Sequence, residues 1–479
     1  MAFKKIIKAT SIFGSVQVFS LISSVLKSKL IAILLGPNGF GIISLLTSSV
    51  DIVRSIFGFS IETSGVKNIA IFSKNSSNEL ESEVSLLIKI ALFSGIFGLI
   101  FYVFLAPFIS LSSFGTYKQW YLVAFLSIVV LFKQLSNSYS AIFQGIEKYK
   151  TIAKISVISS FFSFILTIVF VYFLKFDGII PSLIFSAFIS YLISRHYFIK
   201  LNIKKKTISY TSVISKGKNL LLFGSLLTIS GYIPLLINYS LQVYINCTAG
   251  LLQVGIYSVA LMIMNGYIDM IFNAMSTEYY PRISSISEDS EELNKAVNQQ
   301  IYFSMLVITP ILLFFAGFSS YIIKFILNSE FLAVVPLLNW ALVGMFFKAI
   351  SFCMGYIILA KADKKLFSYT TIVSNILYGL LLFLGYYHKG LEGIGMAFFS
   401  YYLLHLMGIY ILTKKIYAIK ILKEQYTIFI ITGILFIFLY GILNFSTTIL
   451  IKNILLITLF LFSSVFSFLK LYKKYTIIE

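Results

Sequence analysis

The chain has 479 residues, of which 58% are hydrophobic and 12% charged, and its formal net charge is +20. A soluble domain carries about 25% charged and about 45–50% apolar residues, so this composition excludes a protein that hides its apolar surface from water. The charge would suit nucleic acid if it were gathered on one face. Instead Lys and Arg sit in short clusters between apolar runs, as in membrane proteins, and no nucleic-acid partner is expected. Cys247 and Cys353 lie in or beside apolar runs and do not form a disulfide framework.

Lys4, Lys5 and Lys8 precede an apolar stretch that imitates a signal peptide. It continues to about Leu35, too long for that role, and has no small-residue cleavage site, so it is taken as a first, uncleaved span. A helix rising about 1.5 Å per residue needs about 20 apolar residues to cross about 30 Å of hydrocarbon. Fourteen such runs follow one another: 11–35, 39–62, 83–108, 118–143, 151–174, 178–200, 218–246, 251–280, 298–327, 332–359, 366–386, 391–413, 426–446 and 449–470. They are continuous rather than alternating, and too long for barrel strands. The expected fold is an all-α integral membrane protein.

With the N-terminus placed in the cytoplasm, and basic residues near span ends counted with the adjoining connection, the inside segments hold 27 Lys and Arg and the outside ones four: Lys118, Lys175, Lys389 and Lys452. Positive charge concentrates on the inner side, so both termini are expected inside. A long inside connection, 201–217, carries Lys204, Lys205, Lys206 and Lys216; a solvated linker that fixes topology accounts for it.

That linker separates two copies of one pattern, offset by 210–216 residues. Phe13-Gly14-Ser15 recurs as Phe223-Gly224-Ser225, Gly41-Ile42 as Gly255-Ile256, and Phe132-Lys133 as Phe347-Lys348; the turn at Gly145–Lys150 resembles Ala360–Lys365. Six spans separate the copies, an even number, which implies a parallel repeat with a cavity between halves. The expected organisation is a six-helix lobe over 1–200, the cytoplasmic linker 201–217, a second six-helix lobe over 218–413, and two added helices within 414–479.

A charge within a span costs several kcal/mol unless paired or wet, so each marks a candidate site. Lys27 and Lys29 fall in the outer third of span one, Asp51 and Arg54 in span two, Lys133 and Lys348 near the middle of spans four and ten, Asp269 in span eight and His405 in span twelve. Lys29 also fits a lysine snorkelling to the headgroups. Asp51 and Arg54, at i and i+3, also fit an intrahelical ion pair. His405 also fits a hydrogen-bonded packing residue, and Asp269 a structural partner for a Lys on a neighbouring helix. Lys27, Arg54, Lys133 and Lys348 outnumber Asp51 and Asp269, so the expected cavity is cationic and suits an anion, phosphate above all. The acids and His405 are candidates for ion coupling. Gly231 and Pro234 in span seven are candidate hinge residues, because proline interrupts the helical ladder.

No Walker A motif, no His/Cys metal cluster and no nucleophile elbow is visible, and no outside loop exceeds about a dozen residues. Neither a cofactor nor a catalytic centre is expected, which argues against a membrane polymerase. The cationic sign argues against the other alternative, a multidrug or cation antiporter.

Lys27-Ser28-Lys29 through Ala32-Ile33-Leu34-Leu35-Gly36-Pro37-Asn38-Gly39-Phe40-Gly41 resembles the first two spans of O-antigen and capsular polysaccharide flippases, within the multidrug/oligosaccharidyl-lipid/polysaccharide exporter superfamily. Ser64–Ala70 resembles their first cytoplasmic loop, and Ser276–Ile283 the end of their eighth span. The resemblance implies two lobes that alternate access around a central cavity. It implies as cargo an undecaprenyl-diphosphate-linked oligosaccharide, for lipopolysaccharide or a similar surface glycan, carried across the bacterial inner membrane. It places Lys27 and Arg54 where relatives hold the diphosphate, and implies as partners membrane lipids, a polysaccharide polymerase and chain-length proteins. The added C-terminal pair departs from the twelve-span O-antigen pattern, which keeps flippases of peptidoglycan or teichoic-acid precursors in view.

Overall fold

The computed structural model describes residues 2–58, 61–73, 77–203, 206, 210–444 and 448–476, almost all helix, with short turns and irregular links and no strand among them. Lys204 and Lys205 of the basic linker lie outside the described residues. Lipid offers the backbone no hydrogen-bond partners, so an apolar chain satisfies its amides internally as helix. Ten helices among the described residues are long and apolar enough to span a membrane.

Four of the ten are double-length: Leu21–Gly58, Tyr149–Ile199, Gly231–Ser285 and Lys364–Tyr417. Each bends back on itself at a local break: Gly36 (φ 59°, ψ −163°), Lys175 (φ 52°, ψ −126°), Gly250 (φ 82°, ψ 174°) and Gly390 (φ 56°, ψ −137°). Dividing these four there turns ten helices into fourteen membrane segments, with the breaks inside four of the short connections expected from the sequence. Gly36 and Gly250 stand 214 positions apart and Lys175 and Gly390 215. Glu147 and Ala362 (φ 58° and 52°) stand 215 apart, and Asn202 and Ala418 (φ 51° and 55°) 216. The repeat is thus written into the turn conformations, not only into the residues.

Packing divides the chain into two compact units, residues 1–258 with 326–330, and residues 259–325 with 331–479. In the first, α1 (Ala2–Gly58) packs on α3 (Ser77–Phe114) and α6 (Tyr149–Leu174), with α2 (Ile61–Phe72) and α4 (Trp120–Phe125) alongside. Next, α5 (Ser127–Gly145) packs on α3 and on α7 (Ile179–Ile199), and most of α8 (Tyr210–Leu261) belongs to this unit as well. Residues 61–72, expected as mostly loop, fold as α2 because Ile69 enters a cluster with Val84, Leu87, Ile142 and Phe143 that only a helix can present. Gly41 and Gly255, equivalent in the two copies, bring backbones together. A Cβ on Gly255 would lie 1.8 Å from the Pro37 carbonyl oxygen, and one on Gly41 2.4 Å from that of Leu251.

In the second unit, α9 (Asp269–Ser285) and α10 (Ser290–Gly317) are followed by α11 (Ser319–Ile326) and by α12 (Val335–Ala360), which packs along α13 (Lys364–Tyr417). The added pair, α14 (Lys423–Asn444) and α15 (Ile449–Thr476), packs against α10. The start of α10 lies eight residues before the apolar run, because Asp289 caps it: its carboxylate accepts from the amides of Glu291 and Glu292, both at 2.9 Å. Those bonds hold the Asp289 carboxyl below the usual range.

Candidate functional site

Each unit carries a cross-helix ion pair between intramembrane residues. In the first unit, Lys133 Nζ on α5 donates to Asp51 Oδ1 on α1 at 2.9 Å, and Arg54 Nε approaches the same oxygen at 3.8 Å. In the second, Lys348 Nζ on α12 donates to Asp269 Oδ1 on α9 at 2.5 Å. The two lysines are equivalent by the repeat. Asp269 lies 218 positions after Asp51, one helical turn beyond the 214 of the glycines that enter these spans, which keeps it on the same face. Charges in lipid are tolerated when paired in this way, and the half-buried side chains, 20–34% exposed, keep the pairs from full desolvation. Lys133 and Lys348, expected in a cationic cavity, thus each share a carboxylate, and Asp269 is the partner of a Lys on a neighbouring helix.

Lys27 is placed differently. Its Nζ donates to Ser163 Oγ at 3.2 Å, and no carboxylate among the described residues lies within ion-pair distance. It lines, with Lys133, a cavity of about 440 Å³ inside the first unit, walled by the helices of spans one, two, four, five and six. Eight hydroxyl side chains and no carboxylate contribute to the wall. The Oγ atoms of Ser159 and Ser186 there are buried with no hydrogen-bond partner among the described residues.

The equivalent place in the second copy has different contents. Adding 215 to Ser163, Ser186 and Ser190 gives Tyr378, Tyr401 and His405. The rings of Tyr378 and Tyr401 lie 4.9 Å apart, His405 lies 5.6 Å from Tyr401, and Lys348 Nζ lies over the rings of Phe272 and Tyr402 at 5.4 and 5.7 Å. His405 packs among aromatics, and its Nδ1 is buried without a hydrogen-bond partner among the described residues. One copy thus surrounds its lysine with small hydroxyls and the other with rings.

The sequence did not lead to Ser159, Ser163, Ser186 and Ser190. Their signal is present nonetheless: two pairs at i and i+4, a polar stripe on the otherwise apolar spans five and six. Pro234 lies within continuous helix, with Asn238 Nδ2 donating to its carbonyl at 2.8 Å, and Gly231 lies one turn earlier; the non-helical residue in α8 is Gly250.

The model of the polysaccharide biosynthesis protein family matches residues 30–336, and the chain belongs to that family. A search of the curated proteins found no match. Among solved structures, the fold is similar to a lipid II flippase, MurJ, in an inward closed conformation, at TM-score 0.68 and 16% identity, over 97% of this chain and 100% of that one. It is similar also to an inward-facing multidrug resistance MATE family transporter of the MOP superfamily, at TM-score 0.68 and 13% identity over 85% and 98%. An outward-facing multidrug resistance MATE family transporter matches at 0.61 and 14% over 86% and 96%. At these identities the likeness is one of fold. The chain is a multi-pass membrane protein of a polysaccharide-biosynthesis family, with the fold shared by MATE- and MurJ-type transporters.

Proposed function

We propose that this protein is a flippase, not an enzyme, that carries an undecaprenyl-diphosphate-linked oligosaccharide across the bacterial inner membrane by alternating access. The single observation that supports it best is the sign of the intramembrane charge in a member of a polysaccharide-biosynthesis family. Lys27, Arg54 and Lys133 stand against Asp51 alone in the first unit. A diphosphate carries the opposite charge, and ammonium and guanidinium groups in a low-dielectric setting attract it strongly. In this proposal the six-helix lobes 1–200 and 218–413 rock about a central cavity, with Lys27, Arg54, Lys133 and Lys348 as the cationic set and both termini in the cytoplasm. Gly231 and Pro234 would serve as a hinge. Asp51, Asp269 and His405 are proposed for ion coupling, since protonating Asp269 would release Lys348.

Complementation tests this. The gene should restore surface glycan in a flippase-deficient strain that retains its polymerase, and should not restore it in a strain that lacks only the polymerase. Rescue of the second strain would make the protein a polymerase. Resistance to cationic drugs without glycan rescue would favour the antiporter, the class suggested by the MATE-like fold alone.

A further inference from the structure

The cavity inside the first unit is built unlike a passive packing defect. Packing voids in a membrane bundle are lined by aliphatic groups, whereas this one gathers two ammonium groups and eight hydroxyls and no acid. Lys133 is balanced by Asp51 at 2.9 Å, but among the described residues Lys27 has only the neutral Ser163 hydroxyl. One positive charge within the span is therefore left without a counter-charge, a costly condition in lipid. Two further donors, the Oγ atoms of Ser159 and Ser186, are buried with no hydrogen-bond partner among the described residues.

We propose that this cavity binds a small inorganic anion of single charge, a halide or monoanionic phosphate, held by Lys27 and by the hydroxyls of Ser159, Ser163 and Ser186. Such an ion answers each feature at once: it balances the lysine and accepts from hydroxyls that otherwise have no acceptor. Charge-assisted bonds of this kind are the strong ones. Single charge follows from the balance, since Asp51 already serves Lys133. The second copy supplies the contrast: rings of Tyr378, Tyr401 and His405 stand in place of the serines, and Lys348 is paired to Asp269. The site shares Lys27 and Lys133 with the cationic set of the transport proposal but does not rest on that reading. Ion occupancy is read without any lipid-linked glycan.

The test uses the full-length protein in nanodiscs of zwitterionic lipid, with chloride as the probe. Equilibrium binding of radioactive chloride should saturate at about one ion per chain, and the unfolding midpoint should rise when chloride replaces gluconate at fixed ionic strength. Inorganic phosphate should compete. Lys27→Met should abolish binding, Lys27→Arg should retain it, and Ser186→Ala, which keeps the charge and the fold, should weaken it about tenfold. Lys29→Met should bind as the wild type does. Wild-type protein that binds no chloride and is equally stable in gluconate overturns the site. Undiminished binding in both Lys27→Met and Ser186→Ala also overturns it, and so does displacement by a lipid diphosphate but not by inorganic phosphate.

Discussion

Lys133 and Asp51, 82 residues apart in sequence, meet across 2.9 Å between two membrane-spanning helices, and Lys348 and Asp269 repeat the contact in the second unit. A duplicated ion pair inside a bilayer locks the second and fourth spans of each copy together. Removing one partner strands a charge. At full burial such a loss costs about 3–5 kcal/mol, and with a third of each side chain exposed the expected cost is about 1–2 kcal/mol. Asp51→Asn should therefore lower the unfolding midpoint of the detergent-solubilised protein. Asp51→Asn combined with Lys133→Met should recover most of that stability while leaving glycan transport impaired. A double variant that recovers both would make the pair purely structural.

Gly41 and Gly255 permit a backbone crossing at which a methyl group has no room. Gly255→Ala drives a carbon against the Pro37 carbonyl, and overpacking of this kind costs about 1–3 kcal/mol. Gly408, which has nothing within 4 Å of its would-be Cβ, is the control. Gly408→Ala should leave the protein at least as stable as the wild type, since alanine is the better helix former. Thermal unfolding of the two variants side by side checks the contrast.

Lys175 adopts φ 52° and ψ −126°, a conformation that costs most residues, and the equivalent turn in the second copy uses Gly390 at φ 56° and ψ −137°. Lys175→Gly should remove backbone strain of about 1 kcal/mol and raise the unfolding midpoint. The Lys175 ammonium, 5.8 Å over the Tyr172 ring, offsets part of this. A fall in midpoint would mean that the ring contact outweighs the strain.

Orientation follows from the placement of positive charge, and it can be checked directly. Reporter fusions after Lys206 and after Lys474 should report cytoplasm, and one after Tyr387 should report the outside. A cytoplasmic signal at Tyr387 would break the fourteen-span order.

The spans were legible because each is a continuous apolar run, and the four double-length helices break inside the connections at 35–39, 174–178, 246–251 and 386–391 where polarity or glycine interrupts the run. Helix ends were less legible. The start of α10 at Ser290 depends on the Asp289 cap, which hydropathy does not register, and α2 depends on one buried face of Ile69. The site was half visible. Charge in a span announces itself, so Lys27, Asp51, Lys133, Asp269 and Lys348 all stood out. How they pair did not, because a pairing between residues 79 or 82 positions apart on different helices depends on helix rotation, which an all-apolar surface does not report. For the same reason the serines of spans five and six passed as ordinary small residues until the fold turned them toward Lys27.

The most direct test of the transport proposal is reconstitution. Liposomes holding the purified protein, with fluorescent undecaprenyl-diphosphate oligosaccharide in both leaflets, are exposed to an impermeant quencher or glycosidase. The account predicts that the protected half of the label becomes accessible with the wild type, and at least tenfold more slowly with Arg54→Ala. Label that stays protected in wild-type liposomes, as it does in protein-free ones, would contradict it.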